Sequence, residues 1–73
     1  MARYLINYDN EAPTIIEANG PTTALQDYID SRPPWDCPEM DILERADVYE
    51  VPDGMDVHEA YDAIGTIEIR LVY

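Results

Sequence analysis

The alternation of apolar and polar residues predicts two strands at the start of the chain. Residues 3–8 place apolar side chains on both faces of an extended segment, and the turn residues DNEAP follow at once. A second β-branched run, Thr14–Ala18, is close enough to pair with the first as an antiparallel hairpin. We therefore expect both segments in one sheet.

The next apolar pattern predicts a helix over residues 22–31. Leu25, Tyr28 and Ile29 recur at helical spacing and form one apolar face. Thr23 and Gln26 fit a capping box at the helix start. The two prolines at 33 and 34 predict its end, because residues before proline avoid the α region.

The middle of the chain is less regular. Residues 38–45 fit either an irregular strand or a short helix, whereas residues 46–51, ADVYEV, favour a strand. Residues 56–65 predict a second short helix, with Asp56 and Glu59 in a capping-box relation and Gly65 as its stop. The apolar face of this helix comprises Val57, Ala60, Tyr61 and Ile64.

The chain end, TIEIRLVY, alternates more cleanly than any other segment. Its spacing places Ile67, Ile69, Leu71 and Tyr73 on one face of a strand that runs to the last residue. Such a terminal strand needs a pairing partner to stay ordered.

The predicted order β-β-α-β-α-β indicates an α+β fold in a single domain over residues 1–73. We expect a mostly antiparallel four-stranded sheet with one or two helices on one face. The other face would be open to solvent and carry acids and tyrosines. Tyr28 and Tyr61 are expected to face the core. A domain this small can build only one modest core.

Charge narrows the class of function. The chain has 16 acidic residues, four arginines and no lysine, with a formal net charge of −12. Direct nucleic-acid binding needs cations, so this balance argues against it, and anionic membranes would repel the same surface. A basic protein surface would attract this acidic chain. The commonest strongly basic protein surfaces are those that bind DNA or RNA. Adaptation to a salt-rich cytoplasm is the alternative explanation.

We expect the protein to be cytoplasmic. If it is phage-encoded, we expect it in the cytoplasm of the host cell. Cys37 has no second cysteine with which to form an intrachain disulfide. The first residues lack the apolar core of a secretory signal, and no segment has the roughly 20 apolar residues that a membrane span needs.

The residues that could support catalysis or metal binding are few. A dyad of Cys37 and His58 is conceivable, but the carboxylates of Asp36 and Glu39 disfavour a thiolate. Residues 53–62 crowd acids around His58, yet a calcium loop of the EF-hand type would require an acid where Tyr49 stands. We therefore expect a protein that is not an enzyme and that uses no metal or other cofactor.

Two rows of acids are the candidate partner-binding residues. Acids two apart on a strand, or three apart on a helix, lie at intervals comparable with those of successive phosphates along a nucleic-acid strand. The first row comprises Asp27, Asp30, Asp36, Glu39 and Asp41, and the second comprises Asp53, Asp56, Glu59 and Asp62. Such rows would suit an arginine-lined groove.

The proline-rich segment SRPPWDCPEMD contains Trp35, which admits two interpretations. The prolines stiffen this connector in either case. Trp35 could fold back over Leu25 and Ile29 to close the core. It could instead stand exposed among acids as an aromatic anchor for a partner.

In size, acidity, lack of catalytic groups and predicted sheet-plus-helix build, the whole chain resembles phage-encoded inhibitors that mimic nucleic acid, such as anti-CRISPR proteins and uracil-DNA glycosylase inhibitors. The resemblance implies a non-enzymatic inhibitor of a basic nucleic-acid-binding protein or complex, for example a CRISPR effector. The rival hypothesis is a small acidic interaction domain, either a monomer or a homodimer formed through a free sheet edge, whose charge serves solubility or halophilic adaptation.

Overall fold

The computed structural model describes residues 1–73 as four strands and three α-helices. The elements in chain order are β1 (Ala2–Asn7), β2 (Thr14–Ala18), α1 (Pro21–Asp30), α2 (Glu39–Arg45), β3 (Asp47–Val51), α3 (Val57–Asp62) and β4 (Arg70–Leu71), with a 3₁₀ turn at Pro34–Asp36 before α2. All four strands form one antiparallel sheet in the order β2-β1-β3-β4. The predicted α+β class is confirmed.

Helices cover both faces of this sheet. On one face, Ile6 and Val48 pack with Leu25 of α1 and Ile42 of α2 in the larger core. On the opposite face, a smaller core is formed by Leu5, Val51, Ala60 and Ile69, with α3 lying over it. The expectation of one solvent-open face was therefore wrong. Because β1 carries apolar side chains on both of its faces, both need cover from water.

The start of α1 differs from the prediction. Gly20 is the N-cap and Pro21 is the first helical residue, so the helix begins before Thr23 and the proposed Thr23–Gln26 capping box does not form. Proline suits this first position because its fixed φ is already helical and the missing N–H has no intrahelical acceptor there. Gln26 instead donates to the Asp30 carboxylate at 3.0 Å, one turn further on.

The ambiguous middle segment contains both a helix and a strand. Residues Glu39–Arg45 form α2 and Asp47–Val51 form β3. The predicted capping box of α3 is confirmed: the Glu59 N–H donates to Asp56 Oδ1 at 2.8 Å, and the Asp56 N–H donates to Glu59 Oε1 at 3.4 Å.

Tyr61 is half exposed, contrary to the prediction that it faces the core. The reason is the orientation of α3, which turns Ala60 towards the sheet. Successive helix residues are rotated by about 100° (3.6 residues per turn), so the neighbour of a fully buried residue points to the side.

The chain end is only briefly a strand. Pairing of β4 with β3 is confined to Arg70 and Leu71, and turns precede it from Ala63 onward. Beyond β4, the Val72 N–H donates to the Val48 carbonyl at 2.8 Å while the Val48 N–H donates to the Tyr73 carbonyl at 3.4 Å. Val72 and Tyr73 therefore both lie opposite Val48, as in a β-bulge. The Tyr73 hydroxyl donates to the carbonyl of Leu43 in α2 at 3.0 Å.

A matched pair of substitutions tests this correction at the chain end. Ile67 and Ile69 would share one face of an uninterrupted strand, but Ile67 is fully exposed whereas Ile69 is 5% exposed. We expect Ile69→Ala to lower the free energy of unfolding by about 2 kcal/mol or more, and Ile67→Ala by less than about 0.5 kcal/mol. Urea unfolding at low protein concentration measures both. Equal losses would contradict the described chain end.

Candidate functional site

Arg32, just beyond α1, connects three separate segments. Its Nη1 donates to Glu11 Oε1 in the β1–β2 turn at 2.6 Å. Its Nε donates to the backbone carbonyl of Asp36 in the 3₁₀ turn at 3.1 Å, and its Nη2 lies 3.8 Å from the Asp36 carboxylate. The guanidinium also lies within 6 Å of the ring centres of Tyr8 and Tyr28, at distances typical of cation–π contacts.

These contacts set the protonation behaviour of the cluster. The Arg32 hydrogen bond, opposed by partial burial, holds the pKa of Glu11 below its ordinary value of 4.5. Burial is the main cause that raises the pKa of Tyr28. A hydrogen bond to the Asp41 carboxylate, together with burial, raises the pKa of Tyr8 to about 12. The two tyrosines therefore remain neutral hydroxyl donors at neutral pH.

Trp35 lies on the 3₁₀ turn that Arg32 holds. Its side chain is 86% exposed, so the interpretation in which it closes the core over Leu25 and Ile29 was wrong. Cys37 is the connector residue that turns inward, since it packs against the larger core and its thiol donates to the Ile29 carbonyl at 3.7 Å. The backbone of the connector thus directs Trp35 to solvent.

The first predicted row of acids lies on the two helices that the Trp35 turn connects and on the turn itself. Helix α1 carries Asp27 and Asp30, and α2 begins at Glu39, all three exposed. Met40, 71% exposed, follows Glu39 in the first turn of α2. We call this the connector surface: Asp27, Asp30, Trp35, Asp36, Glu39 and Met40.

Asp41 is engaged within the chain. Its carboxylate accepts the Tyr8 hydroxyl and also lies 3.5 Å from Arg45 Nη1. Because these contacts anchor α2 to the end of β1, we leave Asp41 out of the connector surface, and its predicted role in partner binding stays a prediction.

The second predicted row lies on the opposite side of the sheet. Asp56, Glu59 and Asp62 recur every three residues along α3, and Asp53 precedes them in the loop after β3. We call these four residues the α3 stripe. All four side chains are exposed. Asp56 and Glu59 also form the capping box of α3. The two rows therefore form separate surfaces, one on each helical layer.

All four arginines are engaged within the chain. Arg32, Arg45 and Arg70 pair with five acids: Asp9, Glu11, Asp36, Asp41 and Glu50. Arg3 donates to the carbonyl oxygens of Met55 at 2.6 Å and Pro52 at 3.4 Å, so it fixes the loop before α3. Eleven of the 16 acids have no cationic partner, and every one of these eleven is exposed.

No protein family, curated protein or solved structure matches this chain.

The groups considered for catalysis and metal binding are not brought together. Cys37 packs on the α1 and α2 side of the sheet, whereas His58 lies in α3 on the opposite side. No group of three or more His, Cys, Asp or Glu side chains is arranged to hold a metal ion. None of the helices is both long and apolar enough to cross a membrane.

Four exposed acids lie outside the two rows that were predicted from the sequence. Glu17, Glu44, Asp47 and Glu68 are exposed and unpaired but lie outside both predicted rows. Met40 was also missed, and helical spacing offered a signal for it, because it falls on the side of α2 opposite Ile42. The Arg32 cluster joins Arg32 to residues up to 24 positions away in the sequence, Tyr8 being the most distant, and has no local signature.

Glu11→Gln tests the Arg32 cluster through pH. The folded-state pKa of Glu11 is depressed, so its stabilisation is fully present above pH 4.5 and is lost as pH falls through the folded-state value. At neutral pH we expect this variant to unfold about 1 kcal/mol more easily than the parent chain, since Glu11 is partly exposed. The difference should shrink towards zero in acid.

Urea unfolding between neutral pH and acid gives the readout. Glu44→Gln is the matched control, because Glu44 is exposed and pairs with no arginine. Acid relieves charge repulsion in every variant. Comparing each variant with the parent chain at the same pH cancels this common effect. A Glu11→Gln difference that stays constant with pH would show that the ion pair does not stabilise the fold.

Proposed function

We propose that this chain is a non-enzymatic inhibitor of a basic nucleic-acid-binding protein or complex, and that its carboxylates occupy the partner's phosphate sites. The observation that supports this proposal is that the arginines are bound within the chain whereas most of the acids are not. All four arginines are engaged internally, while eleven exposed carboxylates have no cation of their own. Their unneutralised field attracts cationic grooves and accelerates encounter with them.

The spacing of the α3 stripe supports the phosphate comparison. Acids three apart on a helix are about 5 to 6 Å apart at their β-carbons. Glu59 and Asp62 follow this interval on α3, and Asp56 precedes them as the N-cap. We infer that these acids present a short row comparable with successive phosphates of one strand, which arginine or lysine side chains lining a groove would meet.

The separation of the two surfaces supports a partner with an enclosing groove. The connector surface and the α3 stripe lie on opposite helical layers, and the Cα atoms span 35 × 25 × 18 Å. The shorter dimensions are comparable with the width of a nucleic-acid duplex. A channel that surrounds a duplex would therefore meet carboxylates on two sides of this chain, as it meets two phosphate backbones.

Trp35 supplies the apolar part of the proposed contact. It is held on a turn that Arg32 and three prolines restrain, so little conformational entropy remains to be lost on binding. Exposed tryptophans ringed by polar groups are frequent binding hot spots. We assign Trp35 as the anchor and the neighbouring acids as its charged rim.

The partner class follows from this chemistry. It includes nucleic-acid-binding enzymes of bacterial defence and repair, which are the targets of the phage inhibitors that the chain resembles. A CRISPR effector is one member of this class. Its channel for nucleic acid is positively charged and contacts mainly the backbone, as the carboxylate rows require.

Three charge-matched variants test the placement of the acids. The connector variant combines Asp27→Asn, Asp30→Asn and Glu39→Gln; the stripe variant combines Asp53→Asn, Glu59→Gln and Asp62→Asn; the control combines Glu17→Gln, Asp47→Asn and Glu68→Gln. Each removes three charges. We expect the first two to weaken binding by about tenfold or more, and the control to weaken it far less.

The assay measures binding of each immobilised variant to the nucleic-acid-binding protein that the parent chain retains from a bacterial lysate. Trp35→Ala is added with Ile67→Ala as its exposed apolar control; we expect Trp35→Ala alone to lose binding, with the thermal melt unchanged. Equal weakening by all three charge variants would contradict the proposal, because total charge rather than placement would then govern binding.

A further inference from the structure

The surface around β4 is chemically unlike the rest of the chain. Ile67 is fully exposed, and Leu71 and Tyr73 are about half exposed. Met1, also exposed, lines the same cleft as Ile67 and Arg70. We call three of these apolar residues the β4 patch: Met1, Ile67 and Leu71. Tyr73 is left out because its hydroxyl reaches α2 on the face of the larger core, whereas Leu71 pairs with Tyr49 beside the smaller core. Exposed large apolar side chains at the edge of a small charged domain mark an interaction surface.

The β4 patch carries less excess negative charge than the rest of the surface. From residue 65 to the chain end there is one acid and one arginine, so the net charge of −12 resides on residues 1–64. The charged residues that line the cleft beside the patch are two arginines and three acids: Arg3, Arg70, Glu50, Asp53 and Glu68. Two copies of the chain therefore repel each other less here than over the rest of their surfaces.

The backbone at this edge is available for pairing. β4 is the last strand in the sheet, so one of its sides has no neighbouring strand. Hydrogen-bonded and non-hydrogen-bonded pairs alternate in an antiparallel ladder. Because Val72 bonds to Val48, the preceding residue Leu71 directs its N–H and C=O away from β3.

The opposite edge fits a second copy less well. β2 is longer than β4, but it exposes Thr14 and Glu17 and carries none of the large exposed apolar side chains. Unpaired charge on an edge strand resists pairing with another edge, and Glu17 has no cationic partner, whereas Arg70 of β4 pairs with Glu50. The β4 edge combines a free backbone, exposed apolar side chains and a smaller excess of negative charge.

We infer that the chain forms a two-fold homodimer through the β4 edge. Antiparallel pairing centred on Leu71 places this residue opposite Leu71 of the second copy, and it extends the four-stranded sheet across both chains. The contact is self-complementary and withdraws the β4 patch from water. It leaves the connector surface and the α3 stripe exposed, so it is independent of the proposed function.

Sedimentation equilibrium over a range of protein concentrations tests this inference. We expect the mass to rise from that of one chain to that of two, and the dissociation constant to fall when NaCl is raised, because salt screens the repulsion between acidic copies. Capture of a basic partner should show the opposite salt dependence. A mass that stays at one chain throughout, or a dimer that salt dissociates, overturns the inference.

Paired substitutions locate the interface. We expect the double variant Ile67→Ser with Leu71→Ser to remain monomeric, and Met40→Ser, an exposed apolar residue on the connector surface, to dimerise like the parent chain. Circular dichroism confirms that each variant is folded. Dimerisation that survives the double variant, or that Met40→Ser abolishes, places the contact elsewhere and contradicts the β4 assignment.

Discussion

The arrangement of the connector between α1 and α2 depends on one guanidinium group. Arg32 is mostly buried, with only 12% of its side chain exposed, and a charge in that position must be neutralised. Glu11 provides the opposite charge, and Tyr8 and Tyr28 provide π faces. The same group bonds to the backbone at Asp36, so the hairpin turn, the end of α1 and the 3₁₀ turn are held together. The outward position of Trp35 follows from these contacts.

The two-sided core is the second constraint on the surface. A domain of this size is marginally stable, and self-repulsion of a net charge of −12 lowers its stability further. Apolar side chains pack on both faces of the sheet, and no polar or charged residue is buried. The acids are therefore distributed over two outer layers. Because each layer is packed on the same sheet, the fold sets the backbone positions that carry the carboxylates.

Local signals in the sequence predicted the parts of this structure that local physics determines. The β-branched run Thr14–Ala18 and the Asp56–Glu59 capping box are of this kind. The prediction was wrong where distant contacts decide the outcome. The terminal strand begins only at Arg70 although Ile67 and Ile69 alternate as a strand would, and Cys37 rather than Trp35 reaches the core. Asp27 and Asp30 lie on α1, and Glu59 and Asp62 on α3, but the location of the two rows on opposite faces depends on where α3 packs.

If the exposed carboxylates stand in for phosphates, as we propose, a nucleic-acid duplex must compete with this chain for its partner. In the experiment, the parent chain is immobilised through an added C-terminal tag and exposed to a bacterial lysate with increasing concentrations of duplex oligonucleotide. We expect a nucleic-acid-binding protein or complex to be retained and duplex to displace it progressively. Retention that duplex leaves unchanged, or the absence of any basic partner, would show that the carboxylates do not act as phosphates.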